Sequence, residues 1–537
     1  MKVKSLLSSI LFFYFIHVHA QSSITWQLDI GGSGIEYSSI ILPTDDGGFI
    51  VGGSTESGQT GIFSDPQLTS SIFSIFLFKY DVNHVLEWQK SFGGDAFSEL
   101  GNIIRTQDNG WLITGWSAAS SGSGNKTSPL YGSSDFWVIK LNSQFQLKWQ
   151  NSYGGSGGDE LKDAIELWDG SILLGGRSES PISGTKTDTC RGFYDYWLVK
   201  IDSLGNQLWD KTLGSIGYEN LSSLSVSSNG NITLSGTTEE DTLGTGEKTE
   251  PMYGHLDFWV ISLDSMGNIL WDKTLGGPQD EYLGTIYTDG INYYVGGNSD
   301  STSLIAPTMR TAPSKGGTYD CWLIKLDNNG NVLWNKCYGG NRGETIEQII
   351  QFNSNELILA SISNSDISGD KTESIRGFNS DFWLVKIDTA GNVIWDKTIG
   401  GSQEEYYEKI TIIDANTIYL TGMTESGYSG DKTCNNNGSS DVWILEFKPN
   451  TLGIAENVSE QFSIYPNPVQ NQFTVQSENA SQIKQIDITN LSGQVMGHYY
   501  PETKNKTTIS MDKFPSGIYW VNIIGDDFVS KQKIVKM

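Results

Sequence analysis

Hydrophobic residues in this chain form short runs of about four to eight positions, separated by glycine-rich polar turns. Residues 257–277, DFWVISLDSMGNILWDKTLGG, are typical: two runs rich in aromatic and branched residues flank an Asp-x-x-Gly-Asn turn. Because glycine in this turn suits a positive φ, the segment predicts a β-hairpin. No long segment has the 3.6-residue period of an amphipathic helix, so we expect an all-β chain.

The hairpin segment recurs along the chain at intervals of about sixty residues. Its second tryptophan recurs as Trp26, Trp88, Trp149, Trp209, Trp271, Trp334 and Trp395. Its first aromatic recurs as Phe76, Trp137, Trp197, Trp259, Trp322, Trp383 and Trp443. The two markers agree on seven tandem units, and at these strand positions we expect the tryptophans to form the core between units.

Each unit predicts four strands, and this is the composition of a β-propeller blade. The chain after residue 20 opens with an isolated fourth strand, residues 25–30, and the last repeat ends at 441–448 with a third strand and no fourth. The N-terminal strand can therefore serve as the fourth strand that the last repeat lacks. We expect a seven-bladed β-propeller over residues 21–448, with the N-terminal strand closing the last blade and covering its edge. The alternative is an open solenoid, which would require polar caps.

A glutamate follows each marker tryptophan by ten or eleven residues: Glu36, Glu99, Glu160, Glu219, Glu281, Glu344 and Glu405. An aspartate opens the third strand of six units, and several long loops share a Gly-x-Lys-Thr core, as in residues 369–372. All three features are expected on one face, together with the long loops. The carboxylates either accept backbone N–H bonds in the glycine turns or form a ligand or cation site at the channel mouth, for which calcium is the suitable ion.

Catalytic motifs are scarce in this sequence. The three histidines after residue 20, His84, His255 and His498, are far apart, and no zinc motif is present. Residues 154–158 match Gly-x-Ser-x-Gly literally but lack the following helix of a nucleophile elbow. We therefore expect a binding, adhesion or scaffold module, with a glycan or matrix protein as partner and no catalytic residue. The alternative is a secreted carbohydrate-active hydrolase or lyase that uses acidic residues at the channel mouth.

Charge and the N-terminal segment indicate the compartment. The net charge is -27, which argues against nucleic acid as a partner. Residues 1–20 have a basic start, a short apolar run and a small final residue, and predict a signal peptide; a membrane anchor is the alternative. No later apolar stretch is long enough for a transmembrane helix. Export permits a disulfide, and the hairpin register places Cys321 opposite Cys337; two free thiols are the alternative.

The repeat stops after residue 448. Residues 449–461 are expected to be a linker, and 462–537 alternate like a small β-sandwich. This tail resembles the type A C-terminal sorting domain of type IX secretion substrates of Bacteroidota. The matching motifs are Tyr465-Pro466-Asn467-Pro468, the turn at 491–494, residues 515–519 with Gly517 and Tyr519, and the basic ending with Lys531, Lys533 and Lys536. The resemblance implies export by the type IX machinery to the cell surface or medium.

Overall fold

The structure is a computed structural model that describes residues 23–65, 72–239, 246–301, 309–414, 416–449, 462–477, 483–489, 495–501, 506–524 and 529–537. The expected signal peptide and almost all of the expected linker lie outside these ranges. Every regular element within them is a β-strand, so the all-β prediction is confirmed. The described residues therefore include no helix with the length and apolar character of a membrane span. The chain divides into two compact units, one of them Ile24–Phe447 and the other containing the tail.

The described part of the Ile24–Phe447 unit contains seven four-stranded antiparallel sheets. The first six are β2 (Glu36–Pro43), β3 (Phe49–Thr55), β4 (Ser74–Tyr80) and β5 (Leu86–Phe92); β6 (Ser98–Arg105), β7 (Trp111–Ser117), β8 (Asp135–Leu141) and β9 (Leu147–Tyr153); β10 (Asp159–Glu166), β11 (Ile172–Ser178), β12 (Asp195–Ile201) and β13 (Gln207–Leu213); β14 (Tyr218–Val226), β15 (Ile232–Glu239), β16 (Leu256–Leu263) and β17 (Ile269–Leu275); β18 (Glu281–Thr288), β19 (Tyr293–Ser299), β20 (Asp320–Leu326) and β21 (Val332–Tyr338); and β22 (Glu344–Asn353), β23 (Glu356–Ser363), β24 (Asp381–Asp388) and β25 (Val393–Ile399). The seventh comprises β26 (Glu405–Asp414), β27 (Thr417–Thr424), β28 (Asp441–Lys448) and β1 (Ser23–Ile30).

Strand β1 takes the place of a fourth strand in the seventh sheet, where it pairs with β28. Its Gln27 accepts hydrogen bonds from Trp443 Nε1 at 3.2 Å and from the backbone N–H of Thr433 at 2.9 Å. In the second sheet, Gln150 of the fourth strand β9 accepts the equivalent bond from Trp137 Nε1. The N-terminal strand therefore makes the side-chain contacts of the strand that the last repeat lacks.

Neighbouring sheets pack on one another in chain order, and β2 of the first sheet packs against β26 and β27 of the seventh. The backbone N–H of Glu36 donates to the carbonyl of Ser440 at 3.0 Å, which joins these two sheets directly. The third-strand tryptophans are fully buried; Trp197 of the third sheet, for example, packs on Phe136 of the second with ring centroids 4.7 Å apart. The apolar cores thus lie between successive sheets.

A β-bulge near each turn between the third and fourth strands changes the expected register. In β20 and β21, Leu326 faces Val332 but Lys325 faces Trp334, so Leu333 has no partner. The shift pairs Cys321 with Tyr338 and Cys337 with Trp322. The expected disulfide is therefore wrong: the two thiols belong to different buried cores, and all four cysteines are free. A bulge moves adjacent side chains to opposite faces, and the register count from the sequence did not include it.

The described part of the tail contains two antiparallel sheets that share one apolar core. Their strands are β29 (Phe462–Tyr465), β30 (Gln472–Ser477) and β33 (Lys506–Ser510) in one sheet, and β32 (Val495–Tyr499), β31 (Gln485–Thr489), β34 (Gly517–Ile524) and β35 (Val529–Lys536) in the other. Phe473 and Ile509 from the first sheet and Val521 from the second are buried in this core.

Candidate functional site

Five of the seven predicted glutamates are fully buried where the first strand of a sheet begins: Glu36, Glu219, Glu281, Glu344 and Glu405. Their carboxylates accept two kinds of hydrogen bond. At Glu344 the donors are the backbone N–H of Gly340 at 2.9 Å and the hydroxyl of Ser363 at 2.9 Å. These bonds tie the glycine turn before the strand to the end of the second strand of the same sheet.

Glu99 and Glu160 do not occupy this position. The backbone N–H of Glu344 donates to Tyr319 of the preceding sheet, and the equivalent donors in the second and third sheets belong to Ser98 and Asp159. Asp159 also accepts the turn bond, from Gly155 N at 2.7 Å. The prediction that all seven glutamates are equivalent is therefore wrong for Glu99 and Glu160, which follow one residue later. The spacing from the tryptophan is one residue longer in these two units, and an acidic residue beside the true position concealed the difference.

A second buried carboxylate lies beside each buried acid. It belongs to the aspartate that opens the third strand of the preceding sheet: Asp135, Asp195, Asp257, Asp320, Asp381 and Asp441. The two carboxylates meet at the first glycine of the turn. A Cβ placed on Gly339 would lie 2.8 Å from Asp320 Oδ1 and 2.5 Å from Glu344 Oε2. Only glycine leaves room for both groups at the contact between sheets.

Each of these carboxylate pairs has a buried cation nearby, supplied by the long loop: Lys126, Lys186, Lys248, Arg310, Lys371 and Lys432. Arg310 Nη2 lies 3.4 Å from Asp320 Oδ2, and both side chains are 1% exposed. Lys371 donates to the hydroxyl of Thr398, and Asp381 is among the charges that favour its ammonium form. We call each set of cation, aspartate and following acid a junction triad. Sequence analysis singled out four of these lysines by the Gly-x-Lys-Thr motif. It missed Lys248, which carries the same motif at 246–249, and Arg310, which does not.

The contact between the first and second sheets lacks the whole triad. Phe63, Ser74 and Ser98 occupy the three positions, and all three are buried. Ser98 Oγ lies 2.8 Å from Ser117 Oγ, and Phe63 packs on Phe76 with ring centroids 5.4 Å apart. All three charged groups are absent together at this contact, so they occur as a set in which the cation offsets part of the negative charge. The triads therefore have a structural role at the contacts between sheets.

Burial controls the ionisation of these groups. It raises the pKa of Asp381 to about 7 and that of Glu219 to about 7, and the neighbouring carboxylate adds to both shifts. Burial also lowers the pKa of Lys371 to about 8. The described residues contain no group of three or more His, Cys, Asp or Glu arranged to hold a metal ion. The expectation of calcium at the glutamates stays a prediction, and protein donors already occupy the carboxylate oxygens of Glu344.

Glu99 and Glu160 line a different feature, a cavity of about 290 Å³ on the first strands of the second, third and fourth sheets. Trp116, Lys162, Arg177 and Asn220 are among its other lining residues. Arg177 donates to Glu160 Oε2 from Nε at 3.0 Å and from Nη2 at 2.6 Å, and to Asn220 Oδ1 from Nη1 at 2.7 Å. Burial raises the pKa of Glu99, whereas hydrogen bonding and the positive charges of Lys162 and Arg177 oppose the rise.

The other sheets carry different residues at the same register positions. Tyr37, Tyr282, Thr345 and Tyr406 stand in the place of Glu99, Glu160 and Asn220. Ser54, Asn298, Ile362 and Met423 stand in the place of Trp116 and Arg177. The junction triads repeat around the unit, whereas the cavity is restricted to one side of it.

The sorting motif in the tail connects the start of the tail to its last strand. Asn467 Nδ2 donates to the carbonyl of Lys533 at 2.8 Å, and the backbone N–H of Val535 donates to Asn467 Oδ1 at 3.0 Å. Tyr519, which follows Gly517 in β34, donates its hydroxyl to the carbonyl of Pro515 at 2.8 Å. Tyr465 is exposed and donates to Gln476 at 2.8 Å. The motif turn at 491–494 lies outside the described residues, and the predicted basic residue Lys531 lies in β35.

Residues 463–537 match the family model of the secretion system C-terminal sorting domain. This protein is a type IX secretion substrate. The sorting domain indicates that the type IX substrate is secreted, with a surface or extracellular location. Its partner in export is the type IX secretion machinery.

Other relatives of the type IX substrate are distant. The Regulatory protein FlaEY of Caulobacter vibrioides is 26% identical over 216 residues, which are 38% of this chain and 22% of that protein. The Neurospora crassa Pan2 WD40 domain is 10% identical, with a TM-score of 0.42 over 76% of this chain and 89% of that one. The structure of YCF48 bound to D1 peptide is 8% identical, with a TM-score of 0.37 over 79% and 94%. Both structures are propeller-like.

Proposed function

We propose that the type IX substrate is an extracellular binding or scaffold module built on a seven-bladed β-propeller, followed by a small β-sandwich that directs its export. Seven consecutive sheets, the packing of the first sheet on the seventh, and strand β1 in the seventh sheet support the ring. Two sheets around one core support the sandwich.

The face that carries the long loops is the proposed binding face. In an antiparallel unit of four strands, the loop from second to third strand and the connection to the next unit lie at the same end. Backbone bonds join the two: Asn125 N donates to Gly93 O at 3.1 Å, and Thr185 N donates to Gly154 O at 2.9 Å. Phe193 and Phe378 are exposed on these loops. Long loops on a rigid scaffold are the usual location of binding residues.

One observation carries the proposal: the cavity that Glu99 and Glu160 line is restricted to three of the seven sheets. Side chains that every unit needs for packing recur in every unit, as the third-strand aromatics do. Residues at the cavity differ from their counterparts in the other sheets, so the fold does not require them. A concave site with converging polar groups is the default location for a ligand.

A second candidate is a secreted carbohydrate-active hydrolase or lyase. It is favoured by the same cavity, because Glu99 and Glu160 line it together. Two carboxylates in different environments are the usual equipment for cleaving a glycosidic bond. Glu99 has a pKa raised by burial, which suits an acid, and Glu160 is paired with Arg177.

The experiment is a binding screen of the purified full chain against a glycan array and a set of extracellular matrix proteins. We expect a specific ligand whose binding is lost when the loop-face residues are changed, for which Phe378→Ser is a suitable surface variant. A screen with no ligand of either class would contradict the proposal. Release of reducing ends from a bound polysaccharide would favour the hydrolase, and loss of that release in Glu99→Gln would assign the acid. Calorimetric titration with calcium tests the predicted cation site.

A further inference from the structure

We propose that the cavity lined by Trp116, Glu99 and Glu160 binds one sugar ring of an uncharged glycan, with the ring on the indole of Trp116. The inference rests on the proposed binding function and names its site and ligand class. It follows from the charge, the polar groups and the size of the cavity.

The charges of the cavity are balanced. Two carboxylates, Glu99 and Glu160, stand against two cations, Lys162 and Arg177. Glu160 is neutralised directly by Arg177 at 2.6 Å, and the positive charge of Lys162 acts on Glu99. A charged ligand would lose its hydration in the cavity without gaining an opposite charge, because the charges of the cavity already offset one another. The arrangement therefore favours an uncharged ligand.

The polar groups suit a ligand with many hydroxyls. Glu99 offers acceptor oxygens and the exposed ammonium of Lys162 offers donors. The hydroxyl of Ser222 donates to the carbonyl of Leu283, which leaves its oxygen as a further acceptor. Each sugar hydroxyl donates one hydrogen bond and accepts others, so it matches such a mixed set. Arg177, Glu160 and Asn220 already bind one another and hold one wall of the site in place.

Trp116 supplies the apolar surface. It is half-buried, lines the cavity and belongs to none of the apolar cores found among the described residues. Its counterparts in three other sheets are Ser54, Ile362 and Met423, so packing does not demand an indole here. The negative face of an aromatic ring attracts the weakly positive C–H bonds on one side of a sugar ring.

The size of the cavity limits the ligand. Its volume of about 290 Å³ equals the space of roughly ten water molecules in the liquid. This volume is at the lower end for ligand pockets and suits a single ring with its hydroxyls. A longer glycan would place one ring in the cavity and extend across the loop face.

The test uses saturation-transfer NMR and calorimetry on the full chain with neutral mono- and oligosaccharides as probes. We expect signals from one ring of a bound sugar, and affinity lower by about tenfold or more in both Trp116→Ala and the near-isosteric Glu99→Gln. The matched control is Met423→Ala, which truncates a half-buried side chain at the register position of Trp116 in the seventh sheet. It should leave the affinity within twofold of the parent. Thermal unfolding of each variant checks that the fold is retained.

Two results would overturn the inference. Sugar binding that is unchanged in Trp116→Ala and Glu99→Gln would place the sugar elsewhere. Failure of every neutral sugar to bind, while a matrix protein or a charged peptide binds the loop face, would remove this site assignment and leave the proposed binding function intact. Absence of all these ligands would count against both.

Discussion

Removing the cation of one junction triad tests the structural role of all of them. In the triad between the sixth and seventh sheets, Lys371 is 2% exposed, and Asp381 and Glu405 are fully buried. Lys371→Met removes the buried cation of the triad and leaves two buried carboxylates with only the more distant charge of Arg376 acting on Asp381. Breaking a buried ion pair from one side costs about 3–5 kcal/mol, well above the 0–1 kcal/mol of an exposed pair. We therefore expect the free energy of unfolding at pH 8 to fall by about 3–5 kcal/mol.

The loss should depend on pH. At pH 8, which is above the pKa of about 7 for Asp381, the pH favours ionisation of both neighbouring carboxyl groups in the variant. At pH 5.5 the pair retains a proton, which removes part of the repulsion at about 1.4 kcal/mol per unit of pH. Only the interval above the pKa of about 7 contributes, so the destabilisation should be smaller by about 1 kcal/mol at the lower pH.

Guanidinium unfolding followed by tryptophan emission is the assay, because Trp520 is the only tryptophan of the 462–537 tail and the repeats dominate the signal. Lys397→Met is the matched control: Lys397 bonds Glu373 at 2.8 Å but is 20% exposed, so its loss should cost no more than about 1 kcal/mol. Adding Glu405→Gln to Lys371→Met should recover at least about 1 kcal/mol relative to the sum of the single variants. A cost no larger than the control, or strict additivity, would refute the charge balance.

Four further outcomes follow from the structure. The parent chain should lose stability as pH rises from about 4 to 8. Burial raises the pKa of groups such as Glu281 to about 8, so these groups bind more protons in the folded than in the unfolded chain. A melting temperature that increases over this pH range would contradict this prediction. Deletion of residues 24–30 should lower the melting temperature by several degrees or cause aggregation in light scattering, because β28 would become an open edge; a truncated chain as stable as the parent would contradict the closed ring. Asn467→Ala should lower the unfolding temperature of the tail by the loss of two hydrogen bonds, seen by near-ultraviolet circular dichroism, whereas Asn471→Ala on the exposed turn should not. Alkylation of the unreduced, unfolded protein should label all four cysteines, and protected thiols would contradict the observed register.

Much of the all-β architecture could be predicted from local patterns. The Asp-x-x-Gly-Asn turns, for example, form as expected: Gly205 has a φ of 83°, and Asp202 accepts the N–H groups of Leu204 and Asn206 at 2.9 and 2.8 Å. Such a turn depends only on a few consecutive residues, so the sequence specifies it directly. The period of the repeat then orders the units along the chain.

What the sequence did not predict depends on contacts between distant residues. The bulge in β21 is a one-residue change in pairing that no residue type announces, and it separates Cys321 from Cys337. The triad combines a loop, a third strand and the first strand of the next sheet. Only the folded chain therefore shows that the uncharged Phe63, Ser74 and Ser98 occupy the three triad positions of one contact. Alignment of the repeats by position would have placed Ser98 and Asp159, not Glu99 and Glu160, in the place of the buried glutamates. The search for a glutamate in every unit prevented this.

The pairing of β1 with β28 has a consequence for when this protein acquires its fold. Strand β1 is synthesised first, and its partner β28 follows more than four hundred residues later, so the seventh sheet stays incomplete until nearly all repeats have emerged. Pairing over such a distance is a late and slow step in folding. An incomplete chain would keep both of these strand edges unpaired until the seventh sheet forms.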